Sequence, residues 1–213
     1  MGKGSGKGAQ GPQQVNSADD SVSLRVESRT ILSKKVVLVT GAAGFIGSHV
    51  SKDLLERGDI VIGVDEMNDY YDVKIKQSNV DDLKEYDCFT MKYGDICDID
   101  FISAVFKDYG ITHVCHLAAR AGVRPSINDP FIYVHSNVEG TTRLLDLSRQ
   151  HNIVNFVYAS SSSVYGSSTA EILTEEDVVE QPVSPYAGKC HVVCDVMIMS
   201  YHFYNILNIH SHH

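Results

Sequence analysis

Along the chain, short apolar runs alternate with stretches whose apolar residues recur every three or four positions. Val36, Val37, Leu38 and Val39 are consecutive and mostly β-branched, which reads as a strand buried on both faces. Residues 48–57 follow with a helical period, so strand, tight turn and helix are predicted in succession. The run 60–64 predicts a second strand, the polar stretch 70–86 a helix or loop, and 88–93 a third strand closing on Gly94. Residues 99–109 predict a helix with Phe101, Ile102, Val105 and Phe106 on one face. Further strands are expected at 112–117 and 155–159, a longer helix within 127–151 starting after Pro130, and a last helix within 185–205. This alternation implies an α/β fold, a doubly wound parallel sheet with ligands at the carboxyl ends of its strands.

Between the first strand and its helix stand Gly41, Gly44 and Gly47, spaced Gly-x-x-Gly-x-x-Gly. Gly41 supplies the backbone angles of the turn, Gly44 allows close approach of a ligand, and Gly47 lets the helix lie against the strand. The free N–H groups at the helix start, at Phe45 and Ile46, would then face a diphosphate. A glycine triplet alone also fits an ordinary turn. Asp65, at the end of the second strand, lies near the offset of about 20 residues expected for a carboxylate that holds ribose hydroxyls. An acid there repels a 2′-phosphate, and no Lys or Arg follows until Lys74, so NAD is expected over NADP.

Composition narrows the partners. With 213 residues and 43% apolar content, one core-forming domain is expected, at residues 35–213. Residues 1–34, rich at their start in Gly, Lys and Gln, read as a disordered arm. A net charge of −9 excludes non-specific nucleic-acid binding. No apolar run approaches the ~20 residues of a membrane helix. Five cysteines at irregular spacings make no disulfide framework, so a reducing, cytoplasmic setting is expected. Cys190, His191 and Cys194, with His210, His212 and His213, lack a second, comparably spaced pair, and no metal is expected.

Five segments together resemble the extended short-chain dehydrogenase/reductases, in particular the nucleotide-sugar epimerases and dehydratases. They are Thr40 to Gly47, Asp95-Ile96, His116-Leu117-Ala118-Ala119, Asn137 within Ser-Asn-Val-Glu-Gly, and Ser160 to Gly166. Asn68 to Asp72 and Ala121 to Arg124 look most like UDP-glucuronate 4-epimerases. The resemblance implies a Rossmann-type sheet, NAD as cofactor and a UDP-sugar substrate. It also implies reversible hydride transfer at sugar C4. Asp95 and Ile96 would meet the adenine, and Leu117, Ala118, Ala119 and Asn137 would lie against the cofactor. Tyr186 would be the base, also touching the cofactor, and Ser161 would bond tyrosine and sugar oxygen. Arg124, Ser162 and Ser163 would contact the substrate. A homodimer through helices after Pro130 and Tyr186 is implied as well. Leu144, Leu145 and Leu147, with Val193, Met197 and Ile198, supply either that face or the cover of the sheet.

The chain departs from the family pattern in two places. The family places a lysine four residues after the tyrosine, where it shares the helix face and stabilises the tyrosinate. Here that position is Cys190, or His191 if one residue is inserted, and the candidate for the catalytic lysine is Lys189, offset by about 60° at the ~3.6-residue period. Secondly, the sequence reaches His213 where a sixth strand is expected to start, with no counterpart of Asn208 to His213 in the family. The sheet is therefore expected to lack that strand and most of a C-terminal substrate domain. The reading is a nucleotide-sugar 4-epimerase with doubtful activity in this form, or a non-catalytic NAD-binding module.

Overall fold

The computed structural model describes residues 1–2, 34–168, 172–174, 177, 182–188, 190 and 192, and the backbone of 208–212. The chain divides into two units, residues 1–34 and 35–213, and the fold is that of the second. The arm expected at 1–34 lies almost wholly outside the described residues.

The strands are β1 Val36–Thr40, β2 Ile60–Asp65, β3 Phe89–Tyr93, β4 His113–His116, β5 Asn155–Ala159 and β6 Asn208–His212. The helices are α1 Phe45–Glu56, α2 Val73–Leu83, α3 Ile99–Tyr109, α4 Val123–Asn128, α5 Pro130–Tyr133 and α6 Gly140–Gln150. Strand pairing is parallel throughout, in the order β3-β2-β1-β4-β5-β6. The order reverses between β1 and β4, and a crevice at the carboxyl ends of the strands is expected there. Among the described residues, no helix is long and apolar enough to cross a membrane.

Alternation along the strands builds a core on each face of the sheet. Leu38 and Ile62 face Ile102, Phe106, Leu144 and Phe156, while Val37, Val39 and Val61 face Leu55, Val80 and Leu83. Phe106 and Phe156 are fully buried, each such side chain being worth roughly 1.5–3 kcal/mol. Asp98 begins α3 by accepting the N–H groups of Asp100 and Phe101, and Gly110 ends it in a left-handed conformation.

One expectation is corrected. A sixth strand is present, because the β5 edge pairs Asn155 through Ala159 with Asn208 through His212. Of the two placements open to Leu144, Leu145 and Leu147, the cover of the sheet or a face for pairing, the core holds them as cover of the sheet. The other residues considered for pairing, Val193, Met197 and Ile198, lie outside the described positions, as does most of the last helix.

The helix expected after Pro130 starts there, with Asp129 accepting from the Ile132 N–H. It does not run evenly to its end, since Val134–Glu139 winds as a π-helix before α6 resumes. A π segment of this kind commonly marks a functional site.

Candidate functional site

The turn after β1 is held by two backbone bonds, from Gly41 N–H and Ala42 N–H to the Val64 carbonyl, at 2.7 and 3.2 Å. Gly41 has a φ of +70°, and a side chain there would meet the Ala118 backbone at 2.9 Å. Gly44 precedes α1 with no side-chain cap, so the first-turn N–H groups of Phe45, Ile46 and Gly47 lack a capping side chain. Such an end attracts anions.

At the end of β2, Asp65 is buried. Its Oδ1 accepts the Met67 N–H at 2.8 Å and meets Lys76 Nζ at 3.4 Å. Lys76 also donates to Asn68 Oδ1 at 3.2 Å and lies 5.2 Å from the Tyr71 ring centroid. The sequence reading passed over Lys76, because a lysine eleven positions beyond Asp65 gives no local sign of folding back. Burial raises the Tyr71 hydroxyl pKa, and the Asp65 charge adds to it.

Beyond β3, Asp95 Oδ1 accepts the Cys97 N–H at 2.8 Å, and Oδ2 lies 2.9 Å from His135 Nε2. Burial raises the Asp95 pKa, but these hydrogen bonds and the imidazole charge outweigh it and hold the carboxyl below its usual range. His135 is raised, first by its bond to Asp95 and then by Glu139, 3.1 Å from Nδ1. Asp95, Cys97 and His135 could share an ion, but burial and the Asp95 charge push the thiol up to about 12. The thiol instead donates to the His135 carbonyl at 3.1 Å.

The His135 and Asp95 pKa shifts predict a pH window. A raised imidazole contributes stability that is complete below about 6.5 and disappears as pH rises through its folded value. A depressed carboxyl contributes above about 3.9 and loses it as pH falls through its folded value. His135→Gln is therefore expected to cost about 0.5 kcal/mol near pH 5.5, a size usual for half-exposed pairs, and less near pH 9. Urea unfolding of both proteins at the two pH values measures this, and an equal cost at both counts against the pairing.

After β4 the loop is fixed from two sides. Leu117 N–H and Ala118 N–H both donate to Thr40 Oγ1 at 3.2 Å, and that oxygen lies 2.7 Å from His116 Nδ1. His116 Nε2 in turn lies 2.8 Å from Thr141 Oγ1, whose hydroxyl donates to the Asn137 carbonyl. Asn137, in the π segment, accepts the Arg120 N–H at 2.7 Å and donates to the Arg120 carbonyl at 3.0 Å. The asparagine thus acts on the loop backbone.

Two cavities open at these strand ends. One, of about 130 Å³, is lined by Gly41, Gly44, Asp65, Lys76, Asp95 and Ile96 among others, and also by Leu117, Ala118 and Ala119. A second, of about 20 Å³, is lined by Ala118, Ala119, Asn137, Ser160 and Cys190 among others. Ala118 and Ala119 belong to both, so a ligand long enough to pass over them would reach both halves of the sheet.

Ser161 caps the 3₁₀ turn Ser162–Tyr165, with its Oγ accepting the Ser163 N–H at 3.3 Å. Val164 and Tyr165 of that turn pack with Cys190 against Tyr186, so the serine segment and the tyrosine helix are brought together. Tyr186 is half-buried, edge-on to Tyr133 at 6.3 Å. Its N–H donates to Ser126 Oγ at 3.2 Å. Ser162 is exposed, Ser163 half-buried, and Arg124 exposed in the first turn of α4. Lys189 and His191 lie outside the described residues. Cys190, four residues after Tyr186, is buried.

Residues 38–211 match the family described as GDP-mannose 4,6 dehydratase. The chain belongs to that family. The family match runs through residue 211, so it includes most of β6, for which no counterpart was expected. UDP-glucuronate 4-epimerase 4 of Arabidopsis thaliana is 48% identical over 71% of this chain and 35% of its own length. UDP-glucuronate 4-epimerase of Thermodesulfobacterium geofontis is 44% identical over 71% of this chain and 46% of its own. The chain therefore spans less than half the length of these relatives. The crystal structure of UDP-glucuronic acid 4-epimerase from Bacillus cereus, in complex with UDP-glucuronic acid and NAD, aligns with a TM-score of 0.74 at 33% identity. That alignment covers 82% of this chain and 55% of the other. The family's Rossmann-type fold is thus shared.

Proposed function

We propose that this chain binds NAD across the two cavities and carries the residues of a nucleotide-sugar 4-epimerase of the UDP-glucuronate or UDP-glucose type. The carrying observation is that Ala118 and Ala119 line both cavities, one beside the glycine turn and the other beside Cys190 and Ser160. The turn fits a diphosphate, since Gly41 and Gly47 leave no room for side chains and α1 begins uncapped. Asp65 would hold the adenosine ribose, and Asp95 with Ile96 the adenine. A bound NAD would supply a reversible hydride acceptor for the sugar C4.

In this reading Tyr186 removes the proton of the sugar 4-hydroxyl, Ser161 bonds both oxygens, and Lys189 is the nearest cation in sequence. Arg124, Ser162 and Ser163 would touch the UDP-sugar. A phenol near pKa ~10 must be shifted to serve at neutral pH. Cys190, and not a lysine, four residues after Tyr186 favours the second reading, a non-catalytic NAD-binding module. The cytoplasm suits either, because among the described residues Cys88, Cys97 and Cys115 are not joined in disulfides.

Calorimetric titration of NAD and NADP tests the cofactor reading. NAD is expected to bind at least about tenfold tighter, since Asp65 accepts ribose hydroxyls and opposes an added phosphate. Asp65→Ala should narrow or invert the ratio, because it leaves Lys76 without its carboxylate partner. Tighter NADP binding by the unaltered chain would sink the assignment.

A further inference from the structure

Arg120 and Glu66 lie on loops that follow β4 and β2, the two neighbours of β1, so a contact between them crosses the end of β1 where the glycine turn stands. They make that contact, with Arg120 Nη2 donating to a Glu66 carboxylate oxygen at 2.9 Å. A second contact crosses the same way, from the Tyr70 hydroxyl to the Ala121 carbonyl at 2.8 Å. The two sides differ in how firmly they are held. Arg120 is tied to Asn137 through both its backbone groups. On the β2 side, Met67 stands at a φ of +54°, a left-handed conformation that costs a non-glycine residue energy. Both loops line the larger cavity, whose 130 Å³ falls below the ~300 Å³ at which small-molecule pockets begin.

We propose that residues 66–70 form a strap across the dinucleotide cleft, latched by the Glu66–Arg120 ion pair and the Tyr70 hydroxyl, and that its opening limits both entry and release of the ligand. The inference rests on the NAD reading above. Strain at Met67 favours opening, and the latch opposes it. Among the described residues Arg120 Nε is enclosed and meets no acceptor, so the contact with Glu66 is made by the outer guanidinium nitrogen. The Glu66 oxygen that Arg120 meets also accepts from Asn68 Nδ2, so the latch ties to the strap itself. A latch differs from a direct ligand contact in its kinetics. Weakening a latch speeds arrival and departure together and leaves affinity nearly unchanged, whereas removing a ligand contact speeds departure alone.

The test is stopped-flow fluorescence of NADH binding to the full chain, in the unaltered form and in Glu66→Gln, Arg120→Gln and Tyr70→Phe. Association and dissociation rates are both expected to rise about fivefold in the first two variants and less in the third, with Kd within about twofold. Added salt should speed both rates in the unaltered chain and hardly change them in Glu66→Gln or Arg120→Gln. Unchanged rates in Glu66→Gln and Arg120→Gln, or a rise in dissociation alone, overturn the strap while leaving NAD binding intact. An unaltered chain that is folded by circular dichroism and gives no saturable NADH signal overturns the NAD reading itself, and the strap with it.

Discussion

Gly47→Ala is expected to remove NAD binding and to destabilise the domain by about 3 kcal/mol or more, as backbone overlap in a packed turn demands. A methyl group at Gly47 would overlap the Gly41 carbonyl, with the carbonyl carbon 2.7 Å away and Ala42 Cα at 2.9 Å. Neither neighbour can move as a side chain could, because Gly41 and Ala42 are both bonded to the Val64 carbonyl. The turn must open or α1 must lift from β1, and either movement displaces the N–H groups expected to face the diphosphate. Gly58→Ala is the control. Its φ of +97° makes alanine unfavourable, but nothing lies within 4 Å of the added carbon. It should cost only about 1–2 kcal/mol and leave binding intact. Urea unfolding with NAD titration of both variants decides the matter. A Gly47→Ala protein as stable as the original and still binding NAD would show that the turn is looser than its geometry.

The second large effect concerns turnover. The unaltered chain, supplied with NAD and UDP-glucuronate, UDP-glucose or UDP-xylose, is expected to turn over about 10²–10⁴-fold below one per second, the factor that a well-placed acid–base group contributes. Cys190 follows Tyr186 by four positions, and a cysteine there does not supply the ammonium that would stabilise a tyrosinate. Each ~1.4 kcal/mol of lost stabilisation is a further tenfold. A coupled assay of the same preparation that binds NAD gives the answer. Turnover near one per second on any of the three sugars would show that another group activates Tyr186.

Much of this architecture could be read before the fold was known. The helix at Ile99–Tyr109 and the strand at Asn155–Ala159 match the expected bounds, because their apolar periods are local and their ends carry local signals. The glycine turn was equally legible, since three small residues at fixed spacing after an apolar run have few alternative uses. The π segment was not. Asn137 bonds the backbone of Arg120 seventeen positions away, and a helical period carries no mark of such a partner.

The strand assignments divide along the same line. β1 declares itself by four apolar residues in a row, and β2 by Ile60, Val61, Ile62 and Val64 around a single glycine. Asn208 to His212 is polar and histidine-rich, and nothing in it calls for a strand. It becomes one because the edge of β5 offers unpaired N–H and C=O groups, whose satisfaction depends on the neighbour and hardly on the side chains. The leucines of α6 show the converse limit. Helical spacing identified an apolar face, but only packing against Phe156 and Leu38 decided that it turns inward.

The sequence by itself therefore determined the alternating elements, the glycine turn, Asp65 and Asp95 near strand ends, and a cysteine four residues after Tyr186. Each of these is written within a few residues or one helical turn. The tertiary structure alone decided that Lys76 meets Asp65, that His135 meets Asp95, and that Arg120 reaches Glu66. These are charges brought together by parallel strands ending at one level, and their spacing along the chain, from 11 to 54 positions, follows the lengths of the connections between strands.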